Sequence, residues 1–243
     1  MQGLGNDYVF VDCMVGGEVP TEKNAPEISR RISDRHFGVG ADGLVLILPS
    51  KIADAKMRMY NADGSEGMMC GNAIRCIGKY LYESGHVKSK KVTVETRTGV
   101  KNLLLYITRG RVMRVRVDIG RVIGNPHAVN FVDDTDAVDV AREAKKYGDT
   151  NVEFAKIICP TKIKMRVHER GSGETLACGT GACAVALEAV KRGFCPPDTD
   201  ITVSMRGGDL TVRVLGDTIY LTGGCAKVYC GIYKLQKESK SCK

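Results

Sequence analysis

Two stretches of the 243-residue chain are written alike: residues 68–85 read MMCGNAIRCIGKYLYESG and residues 177–193 read ACGTGACAVALEAVKRG. Each sets a Cys, a Gly and a polar residue (Cys70, Gly71, Asn72; Cys178, Gly179, Thr180) ahead of a helix-like run that closes on Gly. A Cys just before a helix sits beside unpaired N–H groups and the positive end of the helix dipole. Such a place lowers a thiol's pKa and holds an anion, and the Gly lets the backbone approach a ligand closely. Either Cys alone is most simply a small buried side chain. Facing each other across a bound molecule, the pair could invert a stereocentre: a thiolate takes a proton from one face of a carbon and a thiol returns one to the other. A carboxylate on that carbon would sit on the paired helix starts, where enolate-like charge is also stabilised, without a carbanion-stabilising cofactor.

The residues ahead of each Cys are unusual for loops. YNADGSE (residues 60–66) precedes the first and HERGSGE (residues 168–174) the second. Asn61 and Glu169 occupy equivalent places, and Arg170 beside the latter is suited to a bidentate grip on a carboxylate. Turn-forming Asn and Gly with surface Glu and Arg account for the same spacing equally well.

Positioning two such sites calls for two similar elements, and the chain contains a repeat. Aligning Cys70 with Cys178, an offset of 108 residues (178 − 70), lays Lys56-Met57-Arg58 on Lys164-Met165-Arg166, Glu66 on Glu174 and Gly85 on Gly193. Seven identities fall in residues 56–85, where composition alone gives about two, so the chain reads as two copies of one unit. A one-residue shift continues the match, TVETRTG (residues 93–99) on TVSMRGG (residues 202–208), and Gly5-Asn6 answers to Gly124-Asn125.

RVMRVRVDI (residues 111–119) alternates as a half-buried strand. LVLIL, KMRMY, KVTVET, TKIKMRVH, ITVSM and DLTVRVL are further short strands between turn residues. Helices are expected over residues 26–36 and 135–147 and after each Cys-Gly pair, the last of them apolar nearly all round and therefore internal. The fold class is α+β: two pseudo-symmetric lobes from an internal duplication, each a curved, mostly antiparallel β-sheet or barrel wrapped around a central helix, with the site in the cleft between them. The lobes are expected as residues 1–120 and 121–243, the final strand packing back on the first lobe.

Composition removes other classes. Apolar content of 43% and charged content of 26% are ordinary for a globular protein. The net charge of +8 is dispersed apart from KSKK and the last ten residues, and no Trp is present to stack bases, so no nucleic-acid partner is expected. No apolar run of about 18 residues and no signal-like N-terminus appear, which predicts a cytoplasmic protein with no membrane partner. Ten Cys in a reducing compartment should be free and mostly small buried side chains. With no C-x-x-C and with His36, His86, His127 and His168 scattered, no metal is expected.

Taken in order, GLGNDYVFVD, DRHFGVGADGL, YNADGSE with CGNAIRC, GNPHAV, TNVEF and ERGSGETLACGTGACA resemble the diaminopimelate epimerase family over most of the chain. The resemblance implies epimerisation of LL-2,6-diaminopimelate to the meso form without cofactors, in lysine and peptidoglycan precursor biosynthesis, by a cytoplasmic homodimer. It implies that Cys70 and Cys178 are the catalytic acid and base, with His127 and Glu169 tuning their protonation. Gly71-Asn72 and Gly179-Thr180 would hold the reacting carboxylate, and Asn6, Asn61, Asn125, Asn151, Glu169 and Arg170 the distal amino-acid end. The chain departs from the family in the short connection over residues 117–127, where further residues between Ile119 and Gly124 are expected, and in Gly43, where the family often has Gln.

Three other readings fit less. Proline racemases resemble this layout, but typically have His after the first Cys-Gly, where this chain has Asn72. GVGADG (residues 38–43) is a literal G-x-G-x-x-G, yet a helix precedes it and a strand follows, the reverse of a dinucleotide site. A thiol-disulfide protein would carry C-x-x-C.

Overall fold

Short alternating runs of β-branched residues, broken by Gly and Asp, make this chain a succession of strands. In the computed structural model, which describes residues 1–16, 20–120 and 126–234, the first half runs β1 (Gln2–Gly3), β2 (Asn6–Asp7), β3 (Val9–Asp12), α1 (Ala25–Ser33), β4 (Gly43–Leu48), β5 (Ala55–Asn61), β6 (Glu66–Gly67), α2 (Gly71–Glu83), β7 (Lys91–Thr96), β8 (Gly99–Thr108) and β9 (Arg111–Gly120). The second half runs β10 (His127–Phe131), α3 (Val140–Ala144), β11 (Asn151–Cys159), β12 (Lys162–Glu169), β13 (Gly173–Thr175), α4 (Gly179–Lys191), β14 (Ile201–Met205), β15 (Gly208–Leu215) and β16 (Thr218–Gly223).

The duplication is visible residue by residue in the strand registers. Leu44 pairs with Tyr60 between β4 and β5, as Val152 pairs with His168 between β11 and β12. Tyr60 faces Glu66 as His168 faces Glu174. β5 runs parallel to β7 at Ala55 and Val94, and β12 to β14 at Ile163 and Val203. Val9 lies parallel to Leu44 as Ala128 lies parallel to Val152. These are the offsets at which the sequence aligned with itself. The curved sheets of the two halves are continuous, because β9 pairs with β16 (Val117 with Leu221); the result is a 14-stranded sheet among the described residues.

The core explains which strands are buried on both faces. In β4, Val45 and Ile47 turn toward α2 and pack in the main cluster with Ile74, Ile77 and Leu81, while Leu44 and Leu46 pack under α1 with Ile28 and Ile32. β11 does the same: Ala155 enters the main cluster, and Val152 and Phe154 lie with Val140 and Ala144 of α3. α4 is buried along Ala182, Cys183, Val185, Ala186 and Ala189, as its all-round apolar sequence requires.

Two helices are shorter than the sequence suggests. α1 ends at Ser33, because the Asp34 carboxylate accepts the N–H groups of His36 and Phe37, each at 2.7 Å, and turns the chain out. The helix expected over residues 135–147 contracts to α3 and a 3₁₀ turn, since Asp139 caps it by accepting the Arg142 N–H at 3.1 Å. β8 and β11 are strands where the sequence shows apolar runs (LLLYI, FAKII) without alternation. Of the cysteines described, Cys76, Cys178, Cys183 and Cys195 are buried, whereas Cys159 and Cys230 are exposed, so the expectation of mostly buried thiols holds only in the core.

Leu221 of β16 is wedged under both Cys-Gly helix starts: a Cβ built on Gly71 or on Gly179 would lie 3.1 Å from its Cδ2. Because Leu221 is fully buried, Leu221→Ala is expected to lower the unfolding free energy by about 3 kcal/mol, read from a shifted midpoint in denaturant melts.

Candidate active site

Cys70 and Cys178 are the N-cap residues of α2 and α4, with near-identical extended backbones (φ −123°, ψ 121° and φ −126°, ψ 114°). The glycines that follow them lie close together: a Cβ built on Gly179 would stand 3.9 Å from the Gly71 Cα. Helix starts 108 residues apart in the alignment are thus neighbours, each with the free N–H groups and positive dipole end of a helix N-terminus.

On the first side, the Cys70 thiol donates to Asn6 Oδ1 at 3.3 Å. The Asn6 amide donates in turn to Asp42 at 2.7 Å, and Asp42 is held by the Asp7 N–H and by Arg35, both at 3.0 Å. The buried Arg75 donates to Asn72 Oδ1 (2.6 Å) and to the Gly71 carbonyl (2.9 Å), which orients the Asn72 amide toward Asn6 Oδ1, 3.5 Å away. The hairpin of β1 and β2 also reaches the second half. Its tip turns with Leu4 at φ 58° and Gly5 at φ 87°; a Cβ on Gly5 would lie 2.7 Å from Leu176 Cδ1, two residues before Cys178.

On the second side, Cys178 Sγ accepts the Gly181 N–H at 3.4 Å and lies 3.4 Å from Thr180 Oγ1. His127 Nδ1 lies 2.7 Å from Glu153 Oε1, the two side chains being 6% and 0% exposed. Glu169 accepts the Thr175 hydroxyl at 2.5 Å. Its charge acts on both thiols, on Tyr8 and on Glu153, so this second-half carboxylate is shared by the two halves.

The other residues singled out in the sequence divide. Asn151 Oδ1 accepts the Arg170 backbone N–H at 2.8 Å, fixing the strand end. The Arg170 guanidinium points outward to Asp149 at 3.0 Å and is 46% exposed. Asn61 lies opposite Gly43 and donates to Ser65 Oγ at 2.9 Å. Asn125, and the connection thought short between Ile119 and Gly124, lie in residues 121–125, outside those described apart from Ile119 and Gly120 at the end of β9. Glu153 was not among the sequence candidates. The repeat held the signal for it: the matching residue in the first half is Val45 of the core.

Burial overturns the expected activation of the thiols. Both are pushed up from the ordinary thiol value. At Cys70 loss of solvent is the largest cause, opposed by the Ala73 and Asn72 N–H groups and by Arg75. At Cys178 the rise is large; burial comes first, then Glu169, against Thr180 and the Gly181 N–H, with Glu153 adding to it. A helix end carries only a fraction of a charge, too little to offset desolvation of a full one. Among the described residues no group of three His, Cys, Asp or Glu is placed to hold a metal ion, and no helix is long and apolar enough to cross a membrane.

The diaminopimelate epimerase family model matches the chain twice, over residues 1–123 and 121–228. The diaminopimelate epimerase of Desulfovibrio desulfuricans is 42% identical over 282 residues, covering 96% of each chain, and that of Parabacteroides distasonis is 44% identical over 266 residues, covering 97% of each. These alignments are longer than the 243 residues here, so both relatives hold residues without a counterpart in this chain. Among solved structures, a Bacillus anthracis phenazine biosynthesis protein of the PhzF family is similar with TM-score 0.71 at 16% identity, covering 92% of each chain. A probable proline racemase from Agrobacterium radiobacter follows at 0.65 and 18%, covering 92% of this chain and 88% of that one. These likenesses are of fold.

Thiol reactivity should follow the same electrostatics. Cys159 is exposed and its thiol is lowered by N–H groups of the Thr161 turn, whereas Cys70 and Cys178 are raised. Since the thiolate is the nucleophile, iodoacetamide at about pH 7.5 is expected to label Cys159 first, and the two site thiols to gain on it only as the pH is raised. Peptide mapping by mass spectrometry across a pH series reads the order.

Proposed function

Because the chain belongs to the diaminopimelate epimerase family, a family of isomerases, we propose that it interconverts LL- and meso-2,6-diaminopimelate without a cofactor, by a two-base mechanism at Cys70 and Cys178. The closeness of Gly71 to Gly179 carries this reading, since it brings two Cys-capped helix starts to one place from the two halves of the chain. One sulfur, as thiolate, removes the proton from the α-carbon; the electron pair spreads onto the carboxylate as an enolate-like anion. The N–H groups at Gly71-Asn72 and Gly179-Thr180 receive that charge. The other sulfur, as thiol, delivers its proton to the opposite face, and the two cysteines end with their protonation exchanged.

The surroundings divide the resting roles. Burial raises both thiols and Glu169 adds to the rise at each, but Arg75 opposes it at Cys70 while Glu153 adds to it at Cys178, so in this reading Cys70 is the more readily ionised of the two and serves as the base, with Cys178 as the acid. Asn6, Asn61, Asn125, Asn151 and Glu169 serve the distal amino-acid end, and Arg170 exchanges Asp149 for the distal carboxylate, one bidentate partner for another. Cys178 is 4% exposed, so in this reading the packing around it parts to admit substrate. The same reading assigns the enzyme to lysine and peptidoglycan precursor biosynthesis, in the cytoplasm, as a homodimer.

Incubation with LL-diaminopimelate in D₂O under reducing conditions tests it. The wild type is expected to incorporate deuterium at Cα and yield the meso form, and Cys70→Ser and Cys178→Ser each to lose at least about 10³-fold in epimerisation, one of two obligatory proton carriers being gone. Epimerisation at wild-type rate by either variant would refute the mechanism. Racemisation of proline with no turnover of diaminopimelate would reassign the substrate.

A further inference from the structure

The duplication supplies an internal control for each position of the site. β4 and β11 match residue for residue, and where β4 places Val45 in the main core, β11 places Glu153. Likewise Tyr8, just before β3 and next to Gly43, matches His127 at the start of β10, which pairs with Asn151. The fold therefore asks only for an apolar side chain where Glu153 stands. Among the described residues it is the only buried carboxylate, at 0% exposure, and burying a carboxylate is costly unless it is paired.

Its pairing is specific. Oε1 lies 2.7 Å from His127 Nδ1, and Oε2 has no hydrogen-bond partner. Gly181 makes the room: a Cβ there would stand 2.7 Å from Oε1, and the Gly181 N–H is the one that Cys178 Sγ accepts. The carboxylate thus stands between the imidazole and the first turn of α4, and the matching first-half positions hold Val45 and Tyr8 instead. The charged and titratable groups facing Glu153 are His127 from β10, Glu169 from the end of β12 and Cys178 from the start of α4; its strand neighbours Val129 and Val167 are apolar.

We propose that Glu153 is a positioning residue that holds the proton of His127 on Nδ1, leaving Nε2 as the basic atom of the ring, an arrangement that the first half, with Val45 and Tyr8 at the matching positions, lacks. Burial pushes the Glu153 carboxyl up and His127 opposes that rise; as a carboxylate it only accepts hydrogen bonds, so facing Nδ1 it selects the Nδ1–H form. The consequence for turnover rests on the epimerase reading above, whereas the tautomer does not.

The experiment therefore has two readouts. Long-range ¹H–¹⁵N correlation of the imidazoles, with His127 identified by its loss in His127→Asn among the four His of the chain, is expected to show Nδ1–H in the wild type and a redistribution toward Nε2–H in Glu153→Gln and Glu153→Val. Glu153→Val copies the residue of the first half and should fold with an unchanged or higher Tm. With diaminopimelate, both variants are expected to lose about 10–100-fold in kcat with KM within about threefold, and the acid limb of kcat/KM in Glu153→Gln to move by about one pH unit, with Glu153→Asp partly restoring both. An unchanged His127 tautomer, or a folded Glu153→Val with the wild-type pH profile, overturns the proposal. A redistributed tautomer in a protein that does not turn over diaminopimelate would instead leave the positioning role standing and remove the substrate.

Discussion

The structure turns on the closeness of two helix N-termini. Aligned dipoles and free N–H groups repel when brought together, and a side chain at either Gly71 or Gly179 would meet Leu221. Glycine at both places removes the steric obstacle, and the buried sheet beneath supplies the packing that holds the ends in place. What results is a pair of Cys-capped helix starts brought close together from the two halves of the chain, the kind of place that suits an anion. β16 pairing with β9 is the covalently remote but physically direct reason for this geometry, since that pairing joins the sheets and carries Leu221 under both helices.

Symmetry of backbone contrasts with asymmetry of side chains. Cys70 has Asn6, Tyr8 and the buried cation of Arg75; Cys178 has Thr180, Glu153 with His127, and the nearer weight of Glu169. A duplicated scaffold places two equivalent thiols, and the divergent neighbours make them unequal in proton affinity. Burial raises both thiols, so their reactivity depends on the charges packed around them.

Much of the fold could be read directly. The offset of the self-alignment reappears in the strand registers, with the same one-residue shift after the helices, because a strand pairing is set by alternation along the chain and a slip of one would turn every side chain to the wrong face. The apolar sequence of α4 announced an internal helix. Helix ends were less legible: Asp34 and Asp139 compete for backbone N–H groups through their side chains, an effect of local geometry that periodicity does not carry.

For the site, the sequence by itself determined the two Cys-Gly pairs at helix starts and the duplication that relates them, since these depend on residue type and spacing alone. Only the tertiary structure decided that Arg170 turns to Asp149, that Glu153 replaces a core valine beside His127, and that both thiols are raised rather than lowered. The reason is physical: a dipole at a helix start is a property of the local chain, whereas desolvation and the company of charges belong to whatever the rest of the molecule packs around it.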